Sequence, residues 1–173
     1  MKRLFALLLA AAVLSCAGCS DNKDMFSDKR SKAVIAASAD LNQKFDGGTR
    51  VIYPDYYGGR SFSKDGKKMF VYVTPAYDSE LDFLLDKHDC VEFIEVVYSK
   101  NELNSLADQY REELEESFPE LNYGGLSIDE TGNSVVVHLN SDTLEDDEIM
   151  SGLKEHFEGR PVIFGEPITG YAL

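Results

Sequence analysis

Tyr57-Gly58-Gly59-Arg60-Ser61-Phe62-Ser63 returns at an offset of 66 residues as Tyr123-Gly124-Gly125-Leu126-Ser127-Ile128-Asp129. A turn follows each copy, Asp65-Gly66 in the first and Thr131-Gly132 in the second. Runs of strand-forming residues come next, Met69-Phe70-Val71-Tyr72-Val73 and Val135-Val136-Val137-His138-Leu139. Two extended runs around a tight glycine-bearing turn read as a β-hairpin. The same hairpin at a fixed spacing marks one structural unit used twice.

Upstream of the first hairpin, Val34, Ala37, Leu41 and Phe45 recur at spacings of three and four. This predicts a helix that opens at Ser27-Asp28 and stops at Gly47-Gly48. Downstream, residues 79–88 place Leu81, Leu84 and Leu85 on one helical face, and residues 91–98 read as a buried strand. Ser99-x-x-Glu102 is a capping box, in which side chain and backbone satisfy each other's orphan groups. It opens a helix striped by Leu103, Leu106, Ala107, Tyr110 and Leu114 and closed before Pro119; Glu112, Glu113, Glu115 and Glu116 read as its solvated face.

After the second hairpin, Ile149, Met150, Leu153 and Phe157 predict a helix over 142–157. The acids of 142–148 fall at its start, where the helix dipole favours negative charge, and not in a calcium-loop pattern. Val162-Ile163-Phe164 then falls on Val96-Val97-Tyr98 at the same offset of 66. The prediction is an α+β fold of two tandem α-β-β-α-β units, over 28–99 and 100–173. Each is a small, mostly antiparallel sheet with helices on one face. Either unit alone has a marginal core, so the two are expected to dock. Tyr98-Ser99 passes straight into the capped helix, leaving no linker.

The first residues carry an address. Lys2 and Arg3 precede an apolar run over 4–14, too short to span about 30 Å of hydrocarbon as a helix. Ser15-Cys16-Ala17-Gly18-Cys19-Ser20 follows at once. This resembles a bacterial lipoprotein signal, and implies a signal peptide over 1–18, a lipidated Cys19 (Cys16 being the alternative) and a polar tether over 19–27. The protein is then exported and anchored by its lipid in the cell membrane or outer membrane, with the bilayer as its first partner. Cys90 remains as the one other thiol and reads as a small buried hydrophobe.

Seventeen Lys and Arg face 31 Asp and Glu, a net charge of −14, within a chain that is 43% apolar. Loss of Lys2 and Arg3 with the signal makes the balance more negative still. That composition is globular, and it excludes a partner bound by neutralising phosphates, so no nucleic acid is expected. No Gly-x-Ser-x-Gly nucleophile motif is present, and His88, His138 and His156 lack metal-ligand spacing. Gly58-Gly59 and Gly124-Gly125 precede hairpins instead of opening helices, which argues for backbone bulges and against phosphate cradles; no metal or cofactor is expected. Tyr53, Tyr56, Tyr57 and Tyr171 are the candidate interaction surface; the competing reading makes the first three rings core beneath the hairpin.

The repeated pattern carries a resemblance. Tyr57-Gly58-Gly59, residues 69–74, Val96-Val97-Tyr98-Ser99 with Glu102-Leu103, and residues 132–137 together resemble the propeptide domains of alpha-lytic or streptogrisin-type secreted serine proteases. The likeness covers roughly residues 50–165 and consists of apolar and turn positions. It implies a chaperone or inhibitor that binds a protease through a sheet surface, with a C-terminal tail, here 165–173, in the substrate groove. With no protease domain after Leu173, the expected mode is action in trans on a protease or another envelope protein. The expected function is thus a non-catalytic, membrane-anchored interaction module. The alternative is an envelope hydrolase with paired carboxylates in a cleft.

Overall fold

The backbone follows the repeat closely. The computed structural model describes residues 30–48 and 51–166. Helix α1, Lys32–Lys44, starts where the Ser31 hydroxyl accepts the Val34 N–H, and it buries Val34, Ala37, Ser38 and Leu41. Ser27-Asp28, the expected opening, lies outside the described residues. Strands β1, Tyr57–Phe62, and β2, Met69–Val73, form the first hairpin, closed by a turn in which Gly66 takes φ +68°. Short helix α2, Asp82–Lys87, leads to β3, Val91–Glu95. Helix α3, Lys100–Ser117, carries the full Ser99/Glu102 capping box. The second hairpin is β4, Tyr123–Asp129, with β5, Ser134–Leu139. Helices α4, Ser141–Glu145, and α5, Asp147–His156, precede β6, Val162–Gly165.

Two three-stranded sheets result, ordered β1-β2-β3 and β4-β5-β6. Each expected antiparallel hairpin gains a third strand that returns parallel to the central one. Hairpin register repeats residue for residue: Tyr57↔Val73, Arg60↔Val71 and Phe62↔Met69 become Tyr123↔Leu139, Leu126↔Val137 and Ile128↔Val135. Even a cross-strand tie is copied, since Ser61 and Tyr72 share a 2.7 Å hydrogen bond and so do Ser127 and His138, 66 residues on.

The third strands break the simple offset. Met69 pairs with Val91 and Val135 with Val162, so β6 corresponds to β3 and not to Val96-Val97-Tyr98 as the sequence alignment has it. The second crossover is five residues longer, and α4 is five residues long. For the same reason the helix expected over 142–157 is broken. Asn140 caps α4 through Thr143 N–H, and Asp146 caps α5 through the N–H groups of Glu148 and Ile149. Two good N-caps in seven residues make two helix starts cheaper than one continuous helix. The strand expected over 91–98 ends at Glu95; Val96 N–H still reaches Val73 O at 2.9 Å, but Val97 is 72% exposed.

Each half has its own core. In the first, α1 and α2 cover Met69, Val71 and Val73, with Phe45, Tyr56 and Tyr57 filling the space at the end of α1. In the second, Tyr110 and Leu114 of α3 and Leu153 of α5 cover Val135, Val137 and Leu139. Cys90 is half-buried against the first core, as a small apolar filler. The outer face of α3 is not uniformly solvated. Glu113 turns to Arg160 at 2.5 Å and to His156 at 3.2 Å, tying α3 to the end of α5. No described helix is long and apolar enough to cross a membrane.

The Glu113 tie sets a pH dependence. Partial burial pushes its carboxyl up, but hydrogen bonds from Gln109, Arg160 and His156 outweigh this and hold it below the ordinary 4.5. A group depressed in the folded state stabilises fully above its unfolded value and loses that contribution as pH falls through the folded one. Urea midpoints are therefore expected to drop as the pH falls below the ordinary carboxylate range. Glu113→Gln should lower the midpoint at neutral pH and flatten that drop, measured by circular dichroism.

Candidate functional site

The two Tyr-Gly-Gly steps are the same backbone device in different surroundings. In each hairpin the register slips at the middle glycine, between Tyr57 and Gly59 and between Tyr123 and Gly125. The last glycine then takes φ +127° or +118°, a region that L side chains rarely adopt. Such a bulge leaves a shallow notch at the hairpin edge, where no side chain stands.

In the first half the notch is full. A Cβ on Gly59 would lie 2.6 Å from both Cγ and Cδ of Glu130, and one on Gly58 would lie 2.6 Å from Val96 Cγ2. Tyr57, Gly58 and Gly59 are all buried. In the second half no described residue lies within 4 Å of the missing Cβ of Gly125. Tyr123 and Gly125 there are half-exposed and Gly124 is exposed.

What fills the first notch is the turn of the second hairpin. The Glu130 carboxylate accepts the Arg60 N–H at 2.8 Å through one oxygen and pairs with the Lys100 ammonium through the other. Lys100 in turn lies 4.7 Å over the ring of Tyr53, which stacks on Tyr57 at 5.3 Å. Burial and then the negative charge of Glu130 push the Tyr57 phenol far above its ordinary value, so it stays a neutral, apolar wall. Arg60 points to α1, donating to Ser38 O at 3.3 Å and Asn42 Oδ1 at 2.7 Å. A cavity of about 220 Å³ remains between Tyr53, Tyr57, Arg60, Lys100 and Glu130.

Three residues further along the same turn, Asn133 adopts φ +48°. Its amide oxygen accepts from Val97 N at 3.1 Å and Tyr98 N at 2.8 Å, and its amide nitrogen donates to Tyr98 O at 2.7 Å. The side chain thus imitates a strand neighbour for the segment leaving β3. Asn101 adds a bond to Tyr53 O at 3.0 Å and another to Asp55 at 3.0 Å. The seam between the halves is polar and directional, a turn in a slot, in contrast to the two apolar cores.

Of the proposed tyrosine surface, Tyr53 reaches this seam beneath Lys100. Tyr57 is 3% and Tyr56 7% exposed, with the Tyr56 hydroxyl on Glu80 at 2.8 Å. Their rings belong to the first core, which is the second of the two readings of this loop; Tyr53 is half-buried at the seam. Cys19, Cys16, Tyr171 and most of the 165–173 tail lie outside the described residues. His138 is buried. Its Nδ1 faces the carbonyl of Glu166 at 3.0 Å, so that nitrogen donates, and Nε2 shares a 2.7 Å hydrogen bond with the Ser127 hydroxyl. Because Ser61 and Tyr72 make the same bond, this pair is a tie shared by both hairpins. Among the described residues no three His, Cys, Asp or Glu side chains gather to hold a metal.

Sequence reasoning missed Glu130, Asn133 and Lys100. A signal existed: at the offset of 66, Glu130 stands where the first hairpin has Lys64, and Asn133 where it has Lys67. The turns are where the repeat stops being a copy. Compared with known proteins, the chain matches no family model and no curated protein.

Gly59 and Gly125 share a positive φ, so alanine strains both backbones alike. Gly59→Ala must also displace the Glu130 side chain, which Gly125→Ala does not. Gly59→Ala is expected to destabilise by about 1–3 kcal/mol more than Gly125→Ala in urea unfolding, the usual range for overpacking.

Proposed function

We propose that the chain is a lipid-anchored protein of the cell envelope whose folded body works by binding another protein and not by catalysis. The observation that carries the binding reading is the asymmetry of the two hairpins. One Tyr-Gly-Gly step is buried beneath a turn of the chain itself, and among the described residues no turn covers its copy, whose Gly124 is exposed. A step that takes a turn of the chain in one copy is presented again in the other, which supports binding of an external turn there. The anchoring reading rests on the apolar run ending in Ser15-Cys16-Ala17-Gly18-Cys19. The likeness to protease propeptides supports a secreted serine protease as the partner class, since those domains also act through a small sheet without chemistry of their own.

Expression in a bacterium fed a labelled or alkyne-tagged fatty acid should tag the protein. Cys19→Ala should abolish the tag and leave an uncleaved precursor, whereas Cys16→Ala should keep it; loss of tagging only in Cys16→Ala would move the anchor to Cys16. The soluble body, residues 20–173, is expected to form a complex with alpha-lytic-type proteases on size exclusion and to slow peptide hydrolysis. No complex with any of several such proteases would remove that partner class.

A further inference from the structure

The uncovered Tyr123-Gly124-Gly125 step has a chemistry that can be read from its filled copy. We infer that it is a docking site for a carboxylate carried on a tight turn of a partner protein, an inference that rests on the binding reading above and names what is bound.

The internal precedent defines the ligand. At Gly59 the occupant is a carboxylate on a flexible stem, whose methylenes lie where a side chain would stand and whose oxygen accepts an edge N–H at 2.8 Å. Hairpin register places Leu126 where Arg60 stands, opposite Val137 as Arg60 is opposite Val71, so the Leu126 N–H is turned to the same outer edge. Gly125 keeps the φ that makes the notch, and no described residue lies within 4 Å of its missing Cβ.

A cation also stands nearby. The buried ladder Val34, Ser38, Leu41, Phe45 of the first half matches Leu103, Ala107, Tyr110, Leu114 of α3 at the same spacing. That match puts Arg111 at the place of Asn42, which borders the Glu130 cavity. Among the described residues Arg111 pairs with Asp108, one turn away at 2.9 Å, and both side chains are exposed. Surface pairs of this kind contribute little, so Arg111 is free to swing to a better partner. Glu115 also acts on Tyr123, and Arg111 opposes it.

A second copy of this chain is the wrong occupant. The turn that would reach the open notch by the same movement is that of the first hairpin, and there Lys64 replaces Glu130. It would bring an ammonium to Arg111. The partner is instead a protein with an acidic residue at the tip of a tight turn, of the Glu-Thr-Gly-Asn kind found in residues 130–133. The overall charge of −14 opposes such a partner at long range. Screening removes most of that beyond about 8 Å at physiological salt, so recognition depends on contacts in the notch.

The test uses the ¹⁵N-labelled body and, as probe, a cyclic peptide reproducing residues 126–137. Saturable shifts of the Gly125 and Leu126 amides at millimolar peptide are expected, with Gly59 and Arg60 unchanged. Arg111→Gln should weaken binding about tenfold, the scale of one charge-assisted bond, without altering the rest of the spectrum. A probe with Gln in place of its Glu should fail, and Gly125→Val, checked for folding by its other amides, should abolish the shifts. The inference is overturned if Gly125 and Leu126 do not move, if the Gln probe binds equally well, or if Arg111→Gln has no effect. Protease complexes that form normally with Arg111→Gln would overturn this site while leaving the binding reading intact.

Discussion

Glu130 does several things at once because of where a glycine stands. Its methylenes cover Gly59, one oxygen completes the hydrogen bonding of Arg60 on an edge strand, and the other neutralises Lys100 at the first turn of α3. Each contact alone is modest, since an ordinary hydrogen bond nets about 1 kcal/mol. Together they fix position and angle, which an apolar patch of equal area does not. The two cores hold each half; the carboxylate and Asn133 decide how the halves meet. Helix α3 makes this economical, for it packs on β4 and β5 and also reaches β1. The junction at Tyr98-Ser99 is therefore both the end of one unit and the cap of the helix that serves the next.

How much of this was legible follows from which forces leave a periodic trace. Helix stripes and strand alternation are imposed by burial on one face, so α1, α3, α5 and both hairpins could be read from Val34 to Phe157. The capping box at Ser99 and Glu102 is local chemistry and was legible for the same reason. Legibility failed where two local signals competed, as when Asn140 and Asp146 both offered helix starts and split one expected helix. It failed again at β6, where a constant offset concealed a five-residue insertion that only strand pairing exposes. The seam was least visible. Glu130 and Asn133 are ordinary turn residues by composition, and their importance comes from long-range contacts, 70 and 35 residues distant.

Tyrosine illustrates the ambiguity of composition. A loop with Tyr53, Tyr56 and Tyr57 has the makings of an interaction surface, yet Tyr53 and Tyr57 stack on each other and meet Phe45 edge-on, and Tyr56 meets Tyr77, inside the first half. The aromatic cluster was real and its location was not given by its chemistry. What distinguishes the halves is coverage, and coverage depends on which element happens to lie above a strand edge.

Asn133 has a consequence for how the molecule opens. The amides of Val97, Tyr98 and Arg60 are held by side chains of the other half, not by ladders within their own sheet. Their hydrogen exchange is therefore governed by parting of the seam, while amides beside Val71 and Val137 wait for their cores to unfold. Undocking and unfolding thus have separate reporters within one chain. A partner that pried the halves apart would announce itself at three amides before either core had loosened.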